Sequence, residues 1–263
     1  MMVALQDKQA FNAFWAKWKK HLNTLVTGAG GKLLCPEASD LAFEQTKDGF
    51  EVKPKLPICL YSISQKATSS NHKLIVFIDG KFEFHKPEDG NAKLSSTHSN
   101  VAFFRQRANI SPAQYDLVDA YHFDHFFEDP KTSAPHPVFH AQRNIRPDEL
   151  FVKFRQALEG NRQNGEIADI DQKRKDELFG LKTFRVPTPQ VDLFSLSVIL
   201  AADHLIGQCK HDSSAYRNFK SFLSFLSHDD ARVIRLNHRN PIRAEIVENI
   251  DTQRFVWQWY SRH

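Results

Sequence analysis

The chain has 263 residues, and its 41% hydrophobic content with 22 phenylalanines is ample material for one large core. A charged fraction of 25% excludes a disordered polyelectrolyte, and a formal charge of +4 permits a nucleic-acid partner without arguing for one. Cys35, Cys59 and Cys209 are far apart and lack CxxC spacing, which predicts reduced thiols. No stretch approaches the roughly 18 uninterrupted apolar residues of a membrane span, and the first residues lack the apolar run of a signal peptide. The expectation is a cytoplasmic protein with no membrane partner.

The first predicted element is a helix over residues 7–26. Phe11, Phe14, Trp15, Trp18, Leu22 and Leu25 recur at three- and four-residue steps, and Gly28, Gly30 and Gly31 follow as a helix stop. A phosphate-binding loop needs its glycines after a strand and before a helix, and here the helix comes first.

Residues 42–107 read as a run of strands: Phe50 to Val52, Ile58 to Ser64, Lys73 to Phe77, Lys81 to His85 and Val101 to Arg107. Asp79-Gly80 predicts a tight hairpin turn between the third and fourth of these. The polar stretches Gln65 to His72 and Pro87 to Asn100 read as loops. Phe103 and Phe104 point to opposite faces, so both faces of the sheet are expected to be covered.

After a hairpin over 115–144, Pro147-Asp-Glu opens a helix that Gly160 ends, with Phe154 and Leu158 on its buried side. Residues 161–184 form a polar connection. Thr188-Pro189 opens an apolar helix over about 189–209, with Thr188 as N-cap, buried in the core or in a contact with a protein partner. Ser195 and Ser197 within it lack a nucleophile elbow and read as packing positions. Ser213 to Ser227 is a further helix. The fold class is therefore α+β: a mainly antiparallel sheet packed by an N-terminal helix and a C-terminal helical lobe. The chain is expected to be a single domain, 1–263, with a sheet-containing core over 1–160 and the lobe over 185–263.

The 115–144 hairpin holds the chemistry. Residues 111–130 carry Asp116, Asp119, Asp124, Glu128 and Asp129 without a Lys or Arg, whereas 231–263 holds six arginines against three acids. An acidic strand of this kind calls for an internal electrostatic partner or a bound cation. Strand alternation puts His122 and Asp124 on one face, and His136, His140 and Gln142 together on the return strand. A register pairing even with even positions brings His122 and Asp124 across from His140 or Gln142, with Cβ atoms about 5 Å apart. A slip of one residue separates them.

Two imidazoles and a carboxylate suit general acid–base chemistry. His122 or His140 would move a proton and Asp124 would orient the ring, as cleavage of an RNA or DNA phosphodiester requires. Gln142, Arg143, Arg146 and Arg105 are the nearby candidates for holding substrate. Arg235 and Arg239, in a basic segment with Arg232, His238 and Arg243, are candidates for phosphate contact. No cofactor is expected, the alternative being a divalent metal at His122, Asp124 and His140. His122-Phe123-Asp124 resembles the first part of the motif in non-haem iron oxygenases of the double-stranded β-helix type. That family's distal histidine lies much later, and no RxS-like clamp follows His140.

The competing expectation is structural. Asp–His pairs often do no more than satisfy buried donors, and Pro135 and Pro137 explain His136 as a strand-entry residue. On that reading the chain is a non-catalytic adaptor, or a subunit of a bacterial defence or toxin–antitoxin assembly.

Overall fold

The computed structural model describes residues 5–64, 73–85, 93–107, 114–126, 139–142, 147–160, 166–167, 185–187, 192–206, 213–227, 235–236 and 240–241. Helix α1 (Leu5–Gly28) forms on the aromatic stripe, and Phe11, Phe14, Trp15, Trp18, Leu22 and Leu25 are all buried. It closes at Gly30, whose φ of 78° lets the amides of residues 29–31 return to the carbonyls of Leu25, Val26 and Thr27.

Strands β1 (Lys32–Leu34), β2 (Leu41–Gln45), β3 (Gly49–Pro54), β4 (Ile58–Ser64), β5 (Lys73–His85), β6 (Lys93–Gln106), β7 (Gln114–Phe126) and β8 (Phe139–Gln142) follow. Then come α2 (Pro147–Gly160), β9 (Glu166–Ile167), β10 (Arg185–Pro187), α3 (Leu193–Leu200) and α4 (Ser214–Ser227). The sheet runs β1-β4-β5-β6-β7-β8-β10, with β3 beside β5, β2 outside β3, and β9 beside β7. Every pairing is antiparallel except that of β7 with β9. A separate ribbon joins β11 (Arg235–Leu236) to β12 (Asn240–Pro241). The class is α+β, a mainly antiparallel sheet packed by the N-terminal helix and the C-terminal helices.

Turn and loop composition in the sequence misleads at two places along β5 and β6. Asp79-Gly80 is not a turn: β5 runs unbroken through it and pairs with β6 from Leu74 to His85. Gly80 is needed for close approach instead, because a Cβ there would lie 2.6 Å from the His98 carbonyl oxygen and 3.4 Å from Leu193 Cδ1. The polar stretch before Val101 is not all loop either. β6 begins at Lys93, and Ser96, Thr97 and Ser99 are buried strand residues.

Both faces of the sheet carry helices. On one face α1, α3 and α4 share a core with Val76, Ile78, Phe82, Phe84 and Val101, into which Phe103 packs. On the other, Phe154 of α2 stacks on Phe104 at 4.2 Å within a smaller core that includes Phe77, Ala102, Tyr115, Leu117 and Ala120. Val118 is an extra residue in β7, since Phe103 pairs with Asp119 and Phe104 with Leu117. That bulge reverses the alternation, so Tyr115, Leu117 and Ala120 all face α2.

The N-cap of α3 is Asp192, not Thr188, which lies outside the described residues. The fully buried Asp192 carboxylate accepts from the amides of Phe194 (2.8 Å) and Ser195 (3.0 Å). Ser195 Oγ donates to the same carboxylate, and Ser197 Oγ takes the Trp18 indole N–H at 3.0 Å. The helix continues as a π-helical turn over Ala201–Ile206, and its apolar residues are spent within the chain's own core.

Candidate functional site

The face under α2 is apolar only near that helix. Beyond Ala102 and Ala120 the same face turns polar, because Asn100, His98 and Ser96 of β6 lie beside His122 and Asp124 of β7. The register of β7 with β8 is His122 to Gln142 and Asp124 to His140, even with even, so the four positions share this face. For His140 and Gln142 the strand position is what the structure describes. Arg185 of β10 lies opposite Gln142 and extends the same row.

Asp124 is the centre of the group. Its Oδ1 is 2.7 Å from His98 Nδ1, and its Oδ2 is 3.5 Å from His122 Nε2. The side chains of His98, His122 and Asp124 are 26%, 17% and 21% exposed, so solvent reaches all three. Among the described residues, no three His, Cys, Asp or Glu side chains are arranged to hold a metal by themselves.

A ladder of ion pairs leads away from this group across the sheet. Ser96 Oγ donates to Glu83 Oε2 at 2.6 Å and lies 3.4 Å from His98 Nε2. Glu83 pairs with Lys81 at 2.5 Å, Lys81 with Glu51 at 2.8 Å, and Lys53 with both Glu51 and Glu44 at 2.9 Å. Lys153 of α2 reaches down to Asp79, in the row of Asn100 and His122. Burial pushes the Glu51 and Glu83 carboxyls up, but hydrogen bonds from the lysines, and from Ser96 to Glu83, outweigh it. Both carboxyls are held below the ordinary glutamate range.

Ser96, His98 and Asp124 stand in the order of a nucleophilic triad, yet they do not form one. The Ser96 hydroxyl gives its proton to Glu83 rather than to His98, and the residue is 3% exposed. What the arrangement offers is two imidazoles on one carboxylate, at the edge of α2 and open to solvent.

No family model, curated protein or solved structure matches this chain.

The remaining sequence candidates lie elsewhere. Arg105 is exposed and alternates with Val101 and Phe103, which puts it on the α1 side of the sheet, opposite His122. Arg235 belongs to the separate ribbon, whose strand β11 runs beside α1. Arg143, Arg146, Arg239 and His136 lie outside the described residues, as does most of the polar connection 161–184. Sequence reasoning missed His98 and Arg185. A run of Ser, Thr and Asn around His98 carries turn composition, and only the even spacing of Ser96, His98 and Asn100 hints at a strand face.

Proposed function

We propose that the polar half of the sheet is a proton-transfer site acting on a phosphodiester, with RNA as the substrate class. The observation that carries this reading is the Asp124 carboxylate set between the His98 and His122 imidazoles, at 2.7 and 3.5 Å. In RNA cleavage a base takes the proton from the 2′-hydroxyl, whose oxygen attacks phosphorus. The bond from phosphorus to the 5′ oxygen breaks, and an acid returns a proton to that oxygen. His140 stands in the row of Asp124 and His122 in the next row of the same face, and the two are assigned these transfers. Asp124 orients the rings, and Gln142 and Arg185 lie in the row where the phosphate would sit.

The test is cleavage of a mixed RNA and DNA panel by wild type, His122→Ala, His140→Ala and Asp124→Asn. Loss of cleavage with retained thermal stability supports the reading. A wild type that cuts nothing, with or without Mn²⁺ or Mg²⁺, removes its basis.

A second reading is favoured by a separate observation: Lys53, Lys81 and Lys153 are each already paired to carboxylates on this face. On that view the ladder is structural and the chain is an adaptor or assembly subunit. Unfolding of both histidine variants would support it.

A further inference from the structure

We propose that Lys153 of α2 is a phosphate-binding residue of this face, held in place by Asp79 until an RNA phosphate takes it over. The inference deepens the reading of the polar half as an RNA site and rests on it. Three observations carry it.

The first is position. The strand registers put Asp79, Asn100, His122, Gln142 and Arg185 in one row across β5, β6, β7, β8 and β10. Neighbouring strands are about 4.8 Å apart, so Asp79 and His122 stand about 10 Å from each other with Asn100 between them. Lys153 Nζ donates to Asp79 Oδ2 from the helix above the sheet. The next residue of that helix, Phe154, is stacked on Phe104, so a fixed element delivers the ammonium to the row of His122. The width above Asn100 suits one phosphate group between ammonium and imidazole.

The second is how the lysines of this face are paired. Lys53 bridges Glu44 and Glu51, and Lys81 bridges Glu51 and Glu83, so each is bracketed by two carboxylates. Lys153 has Asp79 alone as its counter-ion, and its side chain is 48% exposed against 38% and 34% for the other two. An ion pair with so exposed a partner is worth little net, and a phosphate oxygen offers the ammonium an equivalent acceptor. Of the three, Lys153 is the lysine that a substrate can recruit.

The third is the asymmetry of the pair. Asp79 is only 13% exposed, in mid-strand beside Gly80, whereas its lysine faces solvent. The carboxylate therefore keeps the ammonium over the row when RNA is absent, and competes with phosphate when RNA arrives. The two residues act on RNA affinity in opposite directions. A pair that served only to pin α2 would act in one direction, through stability.

The full chain is titrated into a short, fluorescein-labelled single-stranded RNA, 2′-O-methylated throughout so that no 2′-hydroxyl can attack, with anisotropy as the readout. Lys153→Met should weaken binding by about 5- to 10-fold at low salt. It should also reduce the slope of log affinity against log salt by about 0.7, the share of one single-strand phosphate contact. Lys153→Arg should retain most of the affinity, and Asp79→Asn should tighten binding by about 3-fold. Lys53→Met removes the same charge from a doubly paired lysine and should change affinity by less than about 2-fold. Lys153→Gln serves if circular dichroism shows that Lys153→Met does not fold. Unchanged binding in the Lys153 or the Asp79 variant overturns the inference. So do shifts of both in one direction, or a wild type that binds no RNA. Cleavage of unmodified RNA by the same proteins separates the two proposals. Opposite shifts in binding without cleavage keep the phosphate contact and remove the acid–base reading; cleavage with binding indifferent to Lys153 does the reverse.

Discussion

His98 Nδ1 lies 2.7 Å from Asp124 Oδ1, and the two residues are direct partners in the ladder between β6 and β7. The contact joins a residue from the centre of the sheet to the hairpin, so it tests both the register and the site. In a double-mutant cycle of His98→Ala and Asp124→Ala, followed by urea unfolding, the coupling is expected at about 1 kcal/mol. Strictly additive losses would remove this contact from the solution structure.

Gly80 separates a strand from a turn experimentally. In a tight turn Asn would replace glycine readily, whereas in mid-strand any Cβ meets the His98 carbonyl oxygen at 2.6 Å. Gly80→Ala and Gly80→Asn are both expected to destabilise by about 1–3 kcal/mol. Wild-type stability of Gly80→Asn would contradict the unbroken β5.

The charge ladder makes stability depend on acid. Glu51 and Glu83 have folded pKa values below the ordinary 4.5, with the lysine hydrogen bonds overcoming burial. A depressed carboxylate contributes fully above its unfolded pKa and loses that contribution as pH falls through the lower folded value. Urea midpoints should therefore fall as pH drops below about 4.5. The double variant Glu51→Gln, Glu83→Gln should show a shallower decline, and an identical one would refute the ladder's role.

Asp192 gives the opposite sign. Burial raises its carboxyl above the ordinary aspartate value in spite of the Ser195 and Phe194 hydrogen bonds. An acid with a raised folded pKa contributes most below its unfolded value, and that contribution is lost as pH rises through the folded one. Asp192→Ala removes the helix cap and is expected to cost about 1–2 kcal/mol. Asp192→Asn keeps an acceptor without the charge, so at neutral pH its thermal midpoint should equal or exceed that of Asp192→Ala.

Much of the fold is legible from periodicity. The aromatic stripe of α1 and the opposed Phe103 and Phe104 follow from spacing, the proline opens the helix at Pro147, and the helix expected over 213–227 forms from Ser214. Turn chemistry misleads at Asp79-Gly80, where neighbouring strands on both sides of β5 and Leu193 above it demand a residue without a side chain. Composition misleads at Lys93 to Asn100, because hydroxyl side chains serve loops and buried strand positions alike. His122 and Asp124 are legible because one strand carries both. His98 is not, since its place beside them comes from a pairing 26 residues away.

The single extra residue at Val118 has a consequence for variation in this chain. It works as a phase shifter: on its α2 side odd positions of β7 enter the core, and on the far side even positions carry the histidine and the aspartate. Chain length at this point, rather than side-chain identity, decides whether hydrophobic anchor and polar group appear on a common surface. Deleting Val118 would put the two halves out of step, so that either Tyr115 and Leu117 or His122 and Asp124 turned to the wrong side. Point substitutions can retune the polar half independently of the anchor, but a change of one residue in length cannot leave both intact.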